Sequence, residues 1–306
     1  MKNKELIFHI ENIADYNINN NHSTLHPLVT VLDYSKASIR DWGDIDTVIF
    51  KYGLYCIFLK DVKCGDIVYG REYYDYQAGT LVFFAPGQIA RMDIPKTPYQ
   101  PMGYGLIFHP DLVTGTPLSK LLQESNIFSY RTNEALHISD EERQIVLDCF
   151  ARINQELKLP IDKNSKKIIA ANIELFLSYC ERFYDRQFIS RERVNKGILL
   201  KFESLLNKYF QSEKPYSQGL PSVSYFADAL HLSANYFGDL IKRETGKTVK
   251  EYIHIKLIEV AKDMVIREDK TINEIAFSLG FKYSQHFTRL FKQKVGKTPN
   301  EFRHLN

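Results

Sequence analysis

Along the first 135 residues the apolar positions gather in short runs rich in β-branched and aromatic side chains. These are Val29-Thr30-Val31-Leu32, Thr47-Val48-Ile49-Phe50, Leu54 to Leu59, Thr80 to Phe84, and Gly105 to Phe108. Gly, Pro and Asp punctuate them, so the pattern predicts a series of short strands. Many short strands at such intervals favour a barrel or a sandwich. Helical spacing then takes over. Ser139 and Glu142 are placed as a capping box, with Ile145, Val146, Cys149, Phe150 and Ile153 following on one face. Ile168, Ile169, Ile173, Phe176, Leu177 and Cys180 continue this pattern over 165–184. The charged stretch Arg186 to Arg193 predicts a connector and a domain boundary. A further helix over about 195–210 leads to Pro215, Gly219 and Pro221.

The last third of the chain repeats itself. Val223, Phe226, Ala227 and Leu230 stand at i, i+3, i+4 and i+7, and Ile272, Ile275, Ala276 and Leu279 repeat that spacing 49 residues later. After a short break each copy resumes, with Phe237, Leu240 and Ile241 in the first and Phe287, Leu290 and Phe291 in the second. Both close on Gly-Lys-Thr, at 246–248 and 296–298, then on Glu251-Tyr252 and Glu301-Phe302. Duplication on this scale marks a repeated structural unit. The chemistry of each copy suits a helix-turn-helix. Ala227 and Ala276 allow two helices to approach closely. The turn needs a residue that accepts positive φ, which Gly280 does without steric cost and His231 does less comfortably. Ser233 is a good N-cap, and Thr271 with Glu274 forms a capping box. Between the copies, Ile253, Leu257, Val260, Ala261 and Met264 predict one helix over about 248–267. Its length, ~30 Å at 1.5 Å per residue, is close to the ~34 Å turn of B-DNA. Such a rod could hold two recognition helices in successive major grooves. A pair of plain αα-hairpins in a helical bundle is the competing reading, and the repeat with its turn chemistry weighs against it.

Charge sharpens the picture. The chain of 306 residues carries a net +3, but from residue 190 onward 20 Lys and Arg face 13 Asp and Glu, while 1–189 holds 20 against 24. A basic end on a slightly acidic body fits a polyanion-binding module with a separate control domain. There is no run of about 18 apolar residues and no export signal at the N-terminus, so the expected compartment is the cytoplasm, with no membrane partner. The four cysteines, Cys56, Cys64, Cys149 and Cys180, lack metal-type spacing and read as reduced core residues.

Three segments resemble the AraC/XylS family of transcriptional regulators. They are Ile275-Ala276-Phe277-Ser278-Leu279-Gly280-Phe281, Ser284-Gln285-His286-Phe287-Thr288-Arg289-Leu290-Phe291-Lys292, and Gly296-Lys297-Thr298-Pro299-Asn300-Glu301-Phe302-Arg303. The resemblance covers about residues 195–306. It implies an all-α domain with two helix-turn-helix units, preceded in many members by a cupin-like barrel with helices that senses a small molecule or mediates dimerisation. Residues 76–87, Tyr76 to Gly87, are similar to a strand pair of that barrel. The expected fold class is therefore α+β. A regulatory domain over 1–189 (barrel about 1–135, helices about 139–184) precedes a DNA-binding domain over 190–306. The latter holds helix-turn-helix units at about 222–245 and 271–295, joined by the linker helix. Carried over by position, the groove-facing residues of the second unit are Ser284, Gln285, Thr288 and Arg289. The forked donors of Arg289 match guanine, Gln285 matches adenine, and Thr288 suits a thymine methyl or a phosphate. Lys292, Lys297 and Arg303 are candidates for phosphate or for water. In the first unit the equivalents are Asn235, Gly238 and Asp239, with Lys242 one turn on. Asp239 departs from the polar or basic residue that many members carry, so the second unit is expected to dominate sequence reading.

The expected partners are a double-stranded DNA operator and a small-molecule effector, with RNA polymerase and a second copy of the chain as further candidates. The helices over 139–184 could supply the seam of a homodimer. The aromatic cluster of the first domain offers Trp42, Tyr55, Tyr74 and Phe83 as candidate effector contacts, although aromatics also serve as ordinary strand filling. No enzyme, cofactor or metal is expected. The nine histidines hold no His-x-His; His22 and His26 stand four apart in an Asn-rich stretch, and His109 stands alone. A ligand-independent DNA-binding protein is the alternative, and a metal-dependent cupin enzyme with an appended DNA-binding domain is a further one.

Overall fold

The computed structural model describes residues 4–60, 67–68, 79–94, 97–131, 134–190, 192–267 and 270–304. They fall into two compact units, 1–190 and 191–306.

The first unit opens with β1 (Glu5–Ile10), α1 (Ile13–Asn19) and β2 (Val29–Asp33). β3 (Thr47–Tyr52), β4 (Tyr55–Lys60), β5 (Ile67–Val68), β6 (Thr80–Phe84), β7 (Ile89–Asp93) and β8 (Tyr104–Phe108) follow. α2 (Pro110–Val113), α3 (Pro117–Glu124), β9 (Leu136–His137), α4 (Asp140–Leu157) and α5 (Ser165–Ser190) complete it. The strands make two sheets, ordered β1-β3-β7-β5 and β2-β8-β4-β6-β9. Among the described residues no ladder joins one sheet to the other, so the expected cupin-like barrel is not seen to close there. β1 pairs in parallel with β3 at one end of the first sheet.

The inner faces of the two sheets share one core. Ile10, Tyr52 and Ala90 from one meet Leu32, Cys56, Val82, Phe84 and Ile107 from the other. Tyr52 stacks on Phe84 with ring centroids 4.6 Å apart. Each large apolar side chain so buried contributes about 1.5–3 kcal/mol, against about 0.5–1.5 kcal/mol net for a hydrogen bond. Side-chain packing therefore joins the sheets. Ser139 caps α4 with Glu142 in a reciprocal box. Within the expected connector at 186–193, α5 runs through Ser190 and α6 (Glu192–Gln211) begins two residues on. Arg186 is already engaged, donating to Glu142 at 2.6 Å and to the His137 carbonyl at 2.7 Å.

The second unit is helical throughout its described elements. After α6 come α7 (Lys214–Gln218), α8 (Val223–Ala229), α9 (Ala234–Thr245), α10 (Val249–Arg267), α11 (Ile272–Ser278), α12 (Ser284–Val295) and α13 (Pro299–His304). Each copy of the repeat packs on an aromatic cluster. Phe202 of α6 lies 5.1 Å from both Phe226 and Phe237 and 5.5 Å from Tyr252. In the second copy Phe287 contacts Phe281 at 5.5 Å and Phe291 at 5.6 Å, and Phe291 meets Phe302. The Tyr252 hydroxyl donates to the Glu203 carboxylate. Burial, with that carboxylate beside it, raises the phenol to about 12.

Three helices share one starting device. Thr248 with Glu251, Thr271 with Glu274, and Thr298 with Glu301 each exchange backbone-to-side-chain bonds of 2.7–3.3 Å. The backbone N–H bonds hold all three carboxyls below the usual Glu range. A depressed folded-state value stabilises above the ordinary value of 4.5 and loses that contribution as pH falls. Urea unfolding should therefore show stability declining as pH drops below that value, and a triple Glu251→Ala, Glu274→Ala, Glu301→Ala variant should flatten the decline. An equally steep decline in the variant would rule out the caps as its source.

Gly280 is the tightest backbone approach in this unit. It has φ +93°, and a Cβ there would meet Gly219 C at 2.7 Å and the Pro215 carbonyl oxygen at 2.9 Å. Gly246 also has positive φ, +69°, but open space around it. Gly280→Ala should thus cost about 2 kcal/mol or more in urea unfolding, and Gly246→Ala only about 1 kcal/mol, since only the first adds a backbone clash to φ strain. Equal losses would show that Gly219 does not constrain Gly280.

Candidate functional site

Each copy reverses direction within a few residues. His231 adopts φ +59° and Gly280 φ +93°, the left-handed conformation that the turn chemistry demands. The following N–H groups fold back alike, Leu232 to the Ala227 carbonyl at 2.9 Å and Phe281 to the Ala276 carbonyl at 3.0 Å. Ala227 and Ala276 are fully buried between their helices. The copies then diverge by one residue. α9 begins two residues after Leu232, whereas α12 begins three after Phe281, which shifts the repeat from 49 to 50 residues. Ser233 caps α9 by accepting from Tyr236 N at 3.1 Å, while Tyr283 at the head of α12 makes no side-chain cap bond.

The two second helices are amphipathic. Phe287 and Phe291 of α12 are fully buried, which turns Gln285, Arg289 and Lys292 to the outside, with Ser284 and Thr288 half-buried beside them. Among the described residues neither Arg289 nor Lys292 has a carboxylate within ion-pair distance. In α9, Tyr236, Phe237, Leu240 and Ile241 face inward, leaving Asn235 and Lys242 exposed and Gly238 and Asp239 half-buried. The first six positions of α12 thus offer amide, hydroxyl and guanidinium groups on one accessible face. The equivalent face of α9 offers an amide and a carboxylate. Between the copies, α10 is 19 residues long, or ~28 Å at 1.5 Å per residue.

Arg303 does not join this surface. Its Nε donates to the Val265 carbonyl at 2.8 Å and its Nη2 to the Lys270 carbonyl at 2.8 Å. The side chain satisfies an otherwise orphaned carbonyl in the last turn of α10, tying α13 to the end of the linker helix. The sequence alone offered no cue that this cation faces inward. Lys297 is exposed beside the Gly296 cap.

In the first unit a cavity of about 180 Å³ opens between the inner sheet faces and α1. Trp42 lines it, with Phe50, Tyr52, Phe58, Phe84 and the Tyr16–Tyr34 pair. Tyr55 and Phe83 do not. Tyr55 stacks on Phe108 at 5.0 Å, and Phe83 packs on Phe128 at 5.6 Å. Neighbouring strand residues point to opposite faces, so Phe84 and Phe58 take the places on the cavity side. Tyr74, and the stretch from Tyr76 to Ala78, lie outside the described residues. The Tyr16 and Tyr34 hydroxyls meet at 2.6 Å, and burial raises both phenols so that they stay protonated. Gly105 leaves room for this arrangement, since a Cβ there would strike the Tyr34 hydroxyl. His26, weighed as a metal ligand, is buried and accepts from Leu28 N at 3.1 Å. Among the described residues no group of three His, Cys, Asp or Glu could hold a metal ion, and no helix is long and apolar enough to cross a membrane.

Residues 226–304 match the family described as a helix-turn-helix domain. The chain is 38% identical over 78 residues to the transcriptional regulatory protein YesN of Bacillus subtilis, covering 25% of this chain and 21% of that one. It thus spans about a fifth of that relative's length. It is 26% identical over 190 residues to the bifunctional transcriptional activator/DNA repair enzyme AdaA of Bacillus subtilis, covering 57% of this chain and 87% of the relative. Among solved structures, the C-terminal domain of the two-component response regulator yesN from Fusobacterium nucleatum aligns at 25% identity with a TM-score of 0.30. That alignment covers 33% of this chain and 96% of the other. Over residues 226–304, then, the chain carries a helix-turn-helix domain similar to those of transcriptional regulators.

Proposed function

We propose that this protein is a sequence-specific, double-stranded DNA-binding transcription regulator whose first unit senses a small molecule. The observation that carries the reading is the repeated helix–turn–helix, each copy set by a left-handed turn residue and each presenting an outward polar face on its second helix. α9 and α12 are the recognition helices, entering successive major grooves, with α10 as the spacer between them. Arg289 reads guanine, Gln285 reads adenine, and Ser284 and Thr288 take flanking base or phosphate contacts. Lys292 and Lys242 neutralise phosphates. In the first copy Asn235 and Gly238 approach the bases, and Asp239 disfavours backbone contact except where a cytosine amine is the donor. The second copy therefore dominates discrimination. Occupancy of the cavity in the first unit acts through the helical stretch 186–195 and changes how the recognition helices are presented. A second copy of the chain joins along the 139–184 helices, and RNA polymerase is the downstream partner of the bound regulator.

Anisotropy titrations against one selected operator test the ranking. Arg289→Ala should cost about 1–3 kcal/mol and relax specificity at one base pair, with Asn235→Ala costing less. A larger loss from Asn235→Ala would refute the assignment of discrimination to the second copy. Lys292→Ala should weaken all sequences evenly and reduce the slope of log affinity against log salt by about 1. Arg303→Ala should instead lower the melting temperature and leave that slope unchanged. If Arg303→Ala alters the salt slope in a protein of unchanged stability, its place as an internal tie is wrong.

A further inference from the structure

The cavity in the first unit has a wall composition that narrows what it can hold. Its surface is mainly aromatic. Phe50, Phe58, Tyr16 and Tyr34 pack against the buried core yet remain only partly buried, because they face this space between the sheets rather than the core alone. Tyr52 lies between Phe58 and Phe84, at 6.5 Å and 4.6 Å, and Phe8 meets Trp42 edge-on at 5.7 Å. Aromatic faces and edges at such angles suit a further flat ring. Volume sets the size. A dry apolar cavity of about 150 Å³ accommodates benzene, so the 180 Å³ here takes one ring with a small substituent.

The polar groups at the rim set the substituent. Among the described residues no Asp or Glu lines the cavity, whereas Arg40, Lys60 and Arg91 do, and Arg91 is already paired with Glu5 and Asp93. The Arg40 guanidinium donates to Asn20 Oδ1 at 2.5 Å. Asn20 is itself fixed, donating to the Tyr16 carbonyl at 2.7 Å. Arg40 also lies 5.6 Å from the Trp42 ring centroid and has no carboxylate partner among the described residues. Two further donors wait beside it. The Trp42 indole N–H is buried without a hydrogen-bond partner. Of the two hydroxyls in the Tyr16–Tyr34 pair, one proton is used between them, which leaves the other free to donate. A buried donor without a partner costs about 1–3 kcal/mol, so a ligand that supplies an acceptor recovers that loss. An orientated guanidinium with spare donors, and with no acid paired to it among the described residues, matches a planar carboxylate.

We infer that this cavity binds a monocyclic aromatic carboxylate, with its ring among Tyr52, Phe58 and Phe84 and its carboxylate at Arg40 and the Trp42 N–H. This deepens the reading of the first unit as the sensing part and rests on it. Benzoate is the probe, with benzyl alcohol as the uncharged ring and hexanoate as the acid without a ring. In calorimetry on the full chain, benzoate should bind one per chain and at least tenfold more tightly than either comparison compound. Binding should change the emission of Trp42, which is the chain's single tryptophan. Arg40→Gln should lower benzoate affinity at least tenfold while leaving benzyl alcohol affinity unmoved. Ala90→Leu, which fills the cavity from β7, should abolish both. Circular dichroism and melting temperature establish that each variant is folded. Failure of benzoate to bind the folded wild-type chain overturns the assignment. Equal binding of benzyl alcohol overturns its charged half, and equal binding of hexanoate its aromatic half. Operator affinity with and without benzoate separates the two claims: unchanged affinity alongside intact binding at Trp42 refutes control by the cavity and leaves the ligand class standing.

Discussion

The second helix of each copy owes its place to one backbone reversal, at His231 in the first copy and Gly280 in the second. The left-handed conformation there lets the next N–H bond back to the buried alanine carbonyl, so that the second helix leaves at a fixed angle. At Gly280 the constraint is doubled, because the backbone of Gly219 occupies the place where a side chain would stand. The α7 segment and the second copy are therefore packed backbone to backbone. At His231 the same reversal is held against the steric preference of a side chain. In the same copy Phe202 packs against Phe226 and Phe237 from the helices on either side of that turn. The outward faces of α9 and α12 follow from these two points. Burying Phe237 and Phe287 leaves Asn235 and Gln285, two residues earlier, on the outside.

Charge is distributed according to the same division of labour. In the second unit some cations are committed to structure and others are left to solvent. Arg303 completes the end of α10, while Arg289 and Lys292 form no ion pair among the described residues, although Lys292 is near enough to Glu301 to favour its carboxylate. A surplus of seven positive charges therefore overstates neither face: what matters is which cations remain uncommitted on α12. In the first unit Arg186 joins α5 to the cap of α4, and Arg91 is held by Glu5 and Asp93. Arg40 is the exception, tied to a neutral amide at the rim of an aromatic cavity. Uncommitted cations thus stand on the outer face of α12 in one unit, and Arg40 stands at the cavity rim in the other.

The second unit was readable from its sequence because its signals are local. Thr271 with Glu274, Ser233 and Gly280 each act within one turn of their own position, and the duplicated spacing located them twice. The 49-residue offset of the first helices and the 50-residue offset of the closing Gly-Lys-Thr already held the extra residue in the second turn. The first unit was harder because its decisive contacts are distant. β1 pairs in parallel with a strand about 42 residues on, Glu5 with Thr47, and its run Glu5-Leu6-Ile7-Phe8-His9-Ile10 has no alternation to betray it. β6 is buried along its whole length, so periodicity could not say whether Phe83 or Phe84 met the cavity. The stretch 186–193 reads as a connector by composition, yet α5 continues through it as far as Ser190 because no Gly or Pro interrupts it. Closure of a barrel is likewise a property of sheet edges, which no local pattern reports.

The central claim is that a duplicated fold reads two short DNA elements set one helical turn apart. Repeated selection of duplexes from a random pool by the full chain tests it most directly. The account predicts enrichment of two short motifs with centres about 10–10.5 base pairs apart, the one facing α12 more strongly constrained. Enrichment of a single motif with no preferred spacing, or none above the starting pool at moderate salt, would contradict it.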